Sequence, residues 1–312
     1  MKYTTQVGLR MDKIKKASLF TAIKTPYSPD GKIDLDGYDS LVERQIESGV
    51  EGLIIGGTTG EGHLMDWEEH ISLISHSVSR YGSKLVIVGN TGSNNTREAI
   101  YATRQGFEKG MDVALQINPY YGKTSEQGLL RHFDAVLPLG PAMIYNVPGR
   151  TGQDIVPAIM EKVAQHENFL GVKECGGNER IREYEGKGIA CWSGNDDQAY
   201  GARHESNAHG VVSVTSNLVP GLMRKLMDNP DAGLNQQLQP LFSWLFCEPN
   251  PIPINTALSM TGAIQPVFRL PYVPLSVEKR REGLAILSQL GLENLVGNKL
   301  QELEDSHFIF PV

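Results

Sequence analysis

From Ser18 to about Met227 the chain alternates short apolar runs with longer stretches in which apolar residues recur every three or four positions. The runs at residues 18–24, 52–57, 84–90, 112–118, 142–147, 168–173, 189–193 and 210–215 read as strands. Each is apolar throughout rather than alternating, the pattern of a strand buried on both faces. The intervening stretches at 36–47, 67–79, 96–109, 125–137, 154–164 and 197–205 read as helices short enough to serve as crossovers. Eight such units at about 25-residue spacing predict an α/β fold, a (β/α)8 TIM barrel over residues 18–228. A doubly wound sheet is the alternative; it wants fewer strands and usually a phosphate fingerprint, and none is present. Beyond about Asp228 the pattern turns helical, at 234–246, 254–261, 277–290 and a last stretch near 293–304, which predicts a C-terminal helical appendage over 229–312. The prolines of Pro249, Pro251 and Pro253 break the pattern between two of these helices. Residues 1–17 read as a disordered or extended lead-in.

A chain of 312 residues, 40% hydrophobic, can bury a sizeable core. Its net charge of −7 argues against general nucleic-acid or anionic-membrane binding, because both partners need a basic face. Small metabolites fit better. The three cysteines, Cys175, Cys191 and Cys247, have no metal-ligand spacing and read as buried or free thiols in a reducing compartment. The first eighteen residues carry Lys2, Arg10, Lys13, Lys15 and Lys16 with no apolar block, which argues against a secretory signal. No apolar run approaches the roughly 20 residues of a membrane span.

In a parallel barrel the reacting groups come from loops just after strands. The sixth run ends Gly171-Val172-Lys173-Glu174-Cys175-Gly176-Gly177. Taken alone, Lys173 is ordinarily a surface lysine. At the end of a buried strand its ammonium would be costly and its pKa lowered, the condition for a Schiff-base-forming amine. After the second run comes Gly56-Gly57-Thr58-Thr59-Gly60-Glu61-Gly62. It lacks the Gly-Lys-Ser/Thr ending of a P-loop and the glycine spacing of a dinucleotide fingerprint. It offers two hydroxyls and several backbone N–H groups suited to a carboxylate, or is simply a glycine turn. The fourth and fifth runs end Pro119-Tyr120-Tyr121 and Tyr145-Asn146-Val147-Pro148-Gly149-Arg150-Thr151-Gly152. Such tyrosines are commonly packing residues, but a phenol near an imine-forming lysine is a proton carrier. Arg150 is a solvated loop charge or, facing a pocket, a clamp for a carboxylate.

Gly57-Thr58-Thr59-Gly60-Glu61, Pro119-Tyr120-Tyr121, the Tyr145–Gly152 segment, Gly171-Val172-Lys173-Glu174, Glu248-Pro249-Asn250-Pro251 and Arg269-Leu270-Pro271 occur together and in order. With them the chain, from about Ile14 to Leu292, resembles the dihydrodipicolinate synthase family of pyruvate-dependent aldolases, which opens lysine biosynthesis. The resemblance implies that Lys173 forms a Schiff base with pyruvate and that the enamine attacks L-aspartate 4-semialdehyde, with no metal or organic cofactor. It implies Tyr145 as general acid/base, Thr58 and Tyr121 as a proton relay, Thr59 and the turn from Gly57 as the pyruvate carboxylate site, and Arg150 as the clamp for the semialdehyde. Tyr121 resembles a residue that enters a neighbouring subunit's site, so a homo-oligomer is implied, a tetramer of two tight dimers. Lysine as effector would be held by Trp67, His70, Asn94, Glu98 and Tyr120. Tryptophan at position 67 makes the resemblance closest to plant-type enzymes and implies the plastid stroma, with the cytoplasm as the alternative. His63 departs from the family, where a smaller or amide side chain is common, and bears on effector affinity.

Two other readings remain open at the level of sequence. A sialic-acid lyase or keto-acid aldolase would share Lys173, Tyr145 and the Thr58-Thr59 turn but tends to lack Arg150. A non-catalytic metabolite-binding protein would be expected to have lost some of these residues first. His76, His132, His166, His204 and His209 share no ligand spacing, and Asp196-Asp197 reads as a helix start.

Overall fold

The structure, a computed structural model, describes residues 14–311. Eight strands close into a barrel in sequence order: β1 (Leu19–Ala22), β2 (Gly52–Ile55), β3 (Val86–Asn90), β4 (Val113–Ile117), β5 (Ala142–Asn146), β6 (Phe169–Glu174), β7 (Cys191–Ser193) and β8 (Gly210–Ser213). The registered pairs from β2 through β8 are all parallel. Every predicted strand is present; most are trimmed at their ends, while β6 runs one residue further than expected, to Glu174.

The helices are α1 (Leu35–Glu47), α2 (Trp67–Tyr81), α3 (Thr96–Glu108), α4 (Glu126–Val136), a single turn α5 (Pro148–Thr151), α6 (Pro157–Val163), α7 (Asn178–Glu185), α8 (Ala199–Glu205), α9 (Pro220–Asp228), α10 (Ala232–Leu245), α11 (Ile252–Met260) and α12 (Val277–Leu290). Their starts follow capping chemistry: Asp34, Asn95, Ser125, Asp231 and Ser276 each accept a backbone N–H of the first turn. Helices α7 and α9 lie outside the predicted helical stretches, although α9 carries an apolar stripe of Leu222, Met223, Leu226 and Met227. In α7 only Ile181 and Tyr184 of Asn-Glu-Arg-Ile-Arg-Glu-Tyr-Glu are buried, too few to set a period.

The chain divides into two compact units. The first holds the segment through Phe20, Glu51–Ile55 and Trp67–Val212. Its strands carry almost unbroken apolar burial, with Leu53, Ile54, Ile55, Ile87, Val88, Val113, Met143 and Ile144 at 0% exposure. Each such side chain contributes about 1.5–3 kcal/mol by leaving water. The Trp192 indole N–H donates to the Ala17 carbonyl at 2.8 Å, and Ile14 and Ala17 are buried, so the lead-in is anchored from residue 14 onward. The rest of it, residues 1–13, lies outside the described residues.

The second unit holds Thr21–Val50, Gly56–Asp66 and the chain from Ser213. Its helices pack closely: a Cβ on Gly283 of α12 would stand 2.0 Å from the Trp244 ring of α10. The helix expected near 293–304 is absent. Gly291 and Gly297 take positive φ (82° and 121°), and Asn298 and Lys299 donate their N–H groups to the Thr261 carbonyl instead of to a helical ladder. Single 3-10 turns, Leu292–Asn294 and Asp305–His307, flank the segment. No helix among the described residues is long and apolar enough to cross a membrane, and none of their His, Cys, Asp and Glu side chains form a group of three fit to hold a metal.

Candidate active site

Lys173 is the penultimate residue of β6, and its position follows from an irregular ladder. Ala142 pairs with Phe169 but Met143 pairs with Gly171, one residue further on, and the shift brings Tyr145 opposite Lys173. Gly171 is required there: at φ 155° a Cβ would lie 2.5 Å from the Ala190 carbonyl oxygen and 2.8 Å from the Trp192 ring. Gly194 keeps the next strand end open, since a Cβ would meet the Cys175 sulfur at 2.4 Å and the Lys173 side chain at 3.1 Å.

The lysine is 7% exposed. Its Nζ lies 4.3 Å from the centroid of the Tyr145 ring. Burial lowers its pKa, the nearby Arg150 guanidinium lowers it further, and the Asp196 carboxylate acts in the opposite sense. A larger share of neutral, nucleophilic amine follows. Burial pushes the Cys175 thiol up to about 11, so beside this amine it is a protonated thiol, hydrogen-bonded to Tyr145.

Glu174, one residue on, points away from Lys173 by strand alternation. It accepts from Asn146 Nδ2 at 3.0 and 3.1 Å and from the Gly176 N–H at 2.5 Å. The same amide donates to Asp154 at 2.8 Å and accepts from the Ile155 N–H at 3.0 Å, while Arg180 grips both oxygens of Asp154 at 3.3 and 3.0 Å. Burial raises the pKa of Glu174. This polar framework behind the strand ends was not read from the sequence, although Asn146 and Glu174 stand in its motifs; no spacing rule identifies a carboxylate aimed away from the site.

Arg150 is exposed on α5, which ends at Gly152 in the left-handed region (φ 71°). Tyr121 stands at φ 68° with 94% of its surface exposed. Tyr120, half-buried beside it, has its phenol pKa raised by burial, and the Glu98 carboxylate adds to the rise. Asn94 donates to the Tyr120 carbonyl at 3.4 Å, and Glu98 accepts from Ser93 and Asn95 at 3.0 and 3.3 Å. A groove of about 440 Å³ is lined by Asn94, Thr96, Tyr120, Tyr121, Lys123 and His132. Trp67 and His70 stack with centroids 5.4 Å apart and planes within 8°. His70 is buried beside the Ile55 carbonyl and, with its pKa lowered to about 4 chiefly by burial, is neutral at pH 7.

In the second unit, the turn after β2 is shaped by its glycines. Gly56 has φ 63°, and a Cβ on Gly60 would lie 2.9 Å from the Ile23 carbonyl oxygen. The Glu61 and Gly62 N–H groups close the turn on the Thr58 and Gly57 carbonyls. Thr58 is half-buried; Thr59, 2% exposed, accepts from Asn250 Nδ2 at 3.0 Å, which leaves its hydroxyl proton to donate elsewhere. Glu61 (φ 57°) pairs with Lys24 at 2.8 Å, both side chains essentially without exposure. His63 sits 2.8 Å from the Tyr272 hydroxyl.

Residues 15–290 match the model of the Dihydrodipicolinate synthetase family. The chloroplastic 4-hydroxy-tetrahydrodipicolinate synthase 2 of Triticum aestivum is 58% identical over 301 residues, 96% of this chain and 80% of the wheat protein. The chloride-inhibited dihydrodipicolinate synthase of Acinetobacter baumannii, solved with pyruvate, superposes with TM-score 0.85 at 34% identity, covering 88% of this chain and 99% of that one. The enzyme of Cyanidioschyzon merolae, solved with lysine bound, gives 0.84 at 30% identity over 89% and 99%.

Proposed function

The chain belongs to the dihydrodipicolinate synthetase family, and we propose that it condenses pyruvate with L-aspartate 4-semialdehyde to 4-hydroxy-tetrahydrodipicolinate, as the first step committed to lysine. The observation that carries the proposal is the buried Lys173, its pKa lowered, in register with Tyr145 and 4.3 Å from its ring.

The neutral Lys173 amine adds to the pyruvate ketone, and loss of water with uptake of one proton gives a protonated imine. That cation acidifies the pyruvate methyl, which yields a proton and becomes an enamine carbon. The carbon attacks the semialdehyde aldehyde; the new C–C bond forms as the carbonyl oxygen takes up a proton. Attack of the substrate's own amine on the imine carbon closes the ring and releases Lys173. The lysine supplies the electron sink, so the sequence of steps needs no cofactor. Tyr145, adjacent in the ladder, shuttles the protons as general acid/base, and Thr58 and Tyr121 extend the relay. Thr59 and the turn from Gly57 hold the pyruvate carboxylate, for which the unspent Thr59 proton is suited. Arg150 clamps the carboxylate of the semialdehyde.

The exposure of Tyr121 supports a role in a neighbouring copy's site, hence a homo-oligomer, a tetramer of two tight dimers. Lysine is the effector, held by Trp67, His70, Asn94, Glu98 and Tyr120, with His63 bearing on its affinity: Glu98 for the ammonium, Asn94 and Tyr120 for the carboxylate, Trp67 for the apolar stem. The chloroplastic relatives support the plastid stroma as its compartment. The test is turnover of purified protein with pyruvate and L-aspartate 4-semialdehyde, with and without lysine, against N-acetylneuraminate and simple keto-acid aldols. Formation of the cyclic product with the semialdehyde alone supports the proposal; cleavage of the sugar acid instead would overturn it.

A further inference from the structure

Two loops run between β4 and α4 and between β5 and α6, in which Tyr121, Lys123 and Gly152 all take positive φ, and Tyr121 and Arg150 are exposed. Exposed loop tips of this kind depend on hydrogen bonds to keep one conformation. One residue ties them. The Gln153 side chain accepts from the Thr124 N–H at 3.0 Å and donates to the Thr124 carbonyl at 2.5 Å, pairing with a single main-chain residue in both directions as a neighbouring strand would. Its own carbonyl is held by Asn118 Nδ2 at 3.1 Å and by the Thr151 hydroxyl at 2.8 Å. The Lys123 stem crosses the same place, 3.2 Å from where a Cβ of Gly152 would be. Gln153 therefore holds the end of the turn that carries Arg150 against the loop that carries Tyr120 and Tyr121.

We infer that Gln153 is a positioning residue for the second substrate: by strapping the β5 loop to the β4 loop it sets where Arg150 stands, and so determines preference for an aldehyde that bears a carboxylate. The inference rests on the reading of Arg150 as the carboxylate clamp. A planar guanidinium fork is selective only when held to within about 0.5 Å, and a misplacement of about 1 Å can cost up to 100-fold. Lys173 and Tyr145 sit on strands, which the strap does not touch, so imine formation with pyruvate is independent of it.

The test uses Gln153→Met, which keeps the length of the side chain and removes both bonds, Gln153→Glu, which keeps the acceptor and loses the donor, and Arg150→Ala as reference. Gln153→Met is expected to raise KM for the semialdehyde about 5- to 10-fold while KM for pyruvate and the rate of borohydride trapping with pyruvate stay within two-fold; Gln153→Glu falls between. A general structural defect would depress both half-reactions together, and that result, in either Gln153 variant, overturns the inference. A raised semialdehyde KM in Arg150→Ala with none in Gln153→Met overturns the strap alone. An unchanged semialdehyde KM in Arg150→Ala overturns the clamp on which it rests.

Discussion

Replacing Lys24 by methionine tests the least expected interior feature, a wholly buried ion pair. The Lys24 ammonium donates to the Thr25 carbonyl and lies 2.8 Å from Glu61 Oε1, in a site where both side chains have essentially no exposure. Glu61 closes the Thr58-Thr59 turn, and methionine fills the lysine stem without its charge. The variant leaves a buried carboxylate, which can remain charged at a cost of about 3–5 kcal/mol or take up a proton. Neutralising an ordinary glutamate at pH 7 costs about 1.36 kcal/mol for each of the roughly 2.7 pH units above its reference value, about 3.7 kcal/mol. At pH 5 the same step costs only about 1 kcal/mol. Arg269, close enough to influence Lys24, remains as a second cation, and removing Lys24 also lifts the burial cost that lowers its own pKa, so these are upper values. A carboxylate buried without its counter-ion is favoured in the neutral form, so the variant's stability would be retained at low pH and lost as pH rises through the unfolded carboxylate range. Urea titrations at fixed protomer concentration should show Lys24→Met losing about 3 kcal/mol relative to the parent at pH 8 and about 1 kcal/mol at pH 5. Lys24→Met/Glu61→Gln, with both charges gone, should recover at least half of the loss at pH 8. A loss under about 1 kcal/mol that does not change between the two pH values would refute the reasoning.

Two further substitutions separate chemistry from stability. Tyr121→Phe removes a hydroxyl from a side chain 94% exposed; unfolding free energy should stay within about 0.5 kcal/mol while turnover falls about 10- to 100-fold, and a full-rate enzyme would sink the relay assignment. Lys173→Met should be more stable than the parent at pH 7 without pyruvate: burial lowers the lysine pKa from 10.5, so the unfolded chain binds the proton more tightly and the folded state is penalised as pH falls from that value. Urea midpoints should converge as pH rises toward 10.5, and a gap that widens instead would contradict the lowered pKa.

The barrel was legible because both faces of its strands are buried, and unbroken apolar runs between amphipathic helices leave few other folds. Helix α12 has the ends expected from its apolar pattern, and the structure shows Ser276 capping its start and Gly291 following its end. The stretch 293–304 misled because Leu295, Val296, Leu300 and Leu303 recur at helical intervals, while what decides the backbone is the close approach of Gly297 to Thr261, where a Cβ would stand 2.2 Å from the carbonyl oxygen. At the candidate site, the lysine and its strand-end neighbours were visible as residue types in a barrel register. The strap of Gln153, the Asn146–Glu174–Asp154–Arg180 framework and the Lys24–Glu61 pair were not. Each joins loops or strand ends distant in sequence through polar side chains, and neither periodicity nor motif spacing encodes which polar groups meet.

The claim that Lys173 is the covalent centre is tested most directly by borohydride reduction in the presence of pyruvate, followed by peptide mass analysis. The lowered pKa, the burial and the pairing with Tyr145 predict a single reduced pyruvyl adduct on the peptide containing Lys173, absent without pyruvate and absent from Lys173→Met. Adduct on another lysine, or none while the protein turns over, would contradict the account.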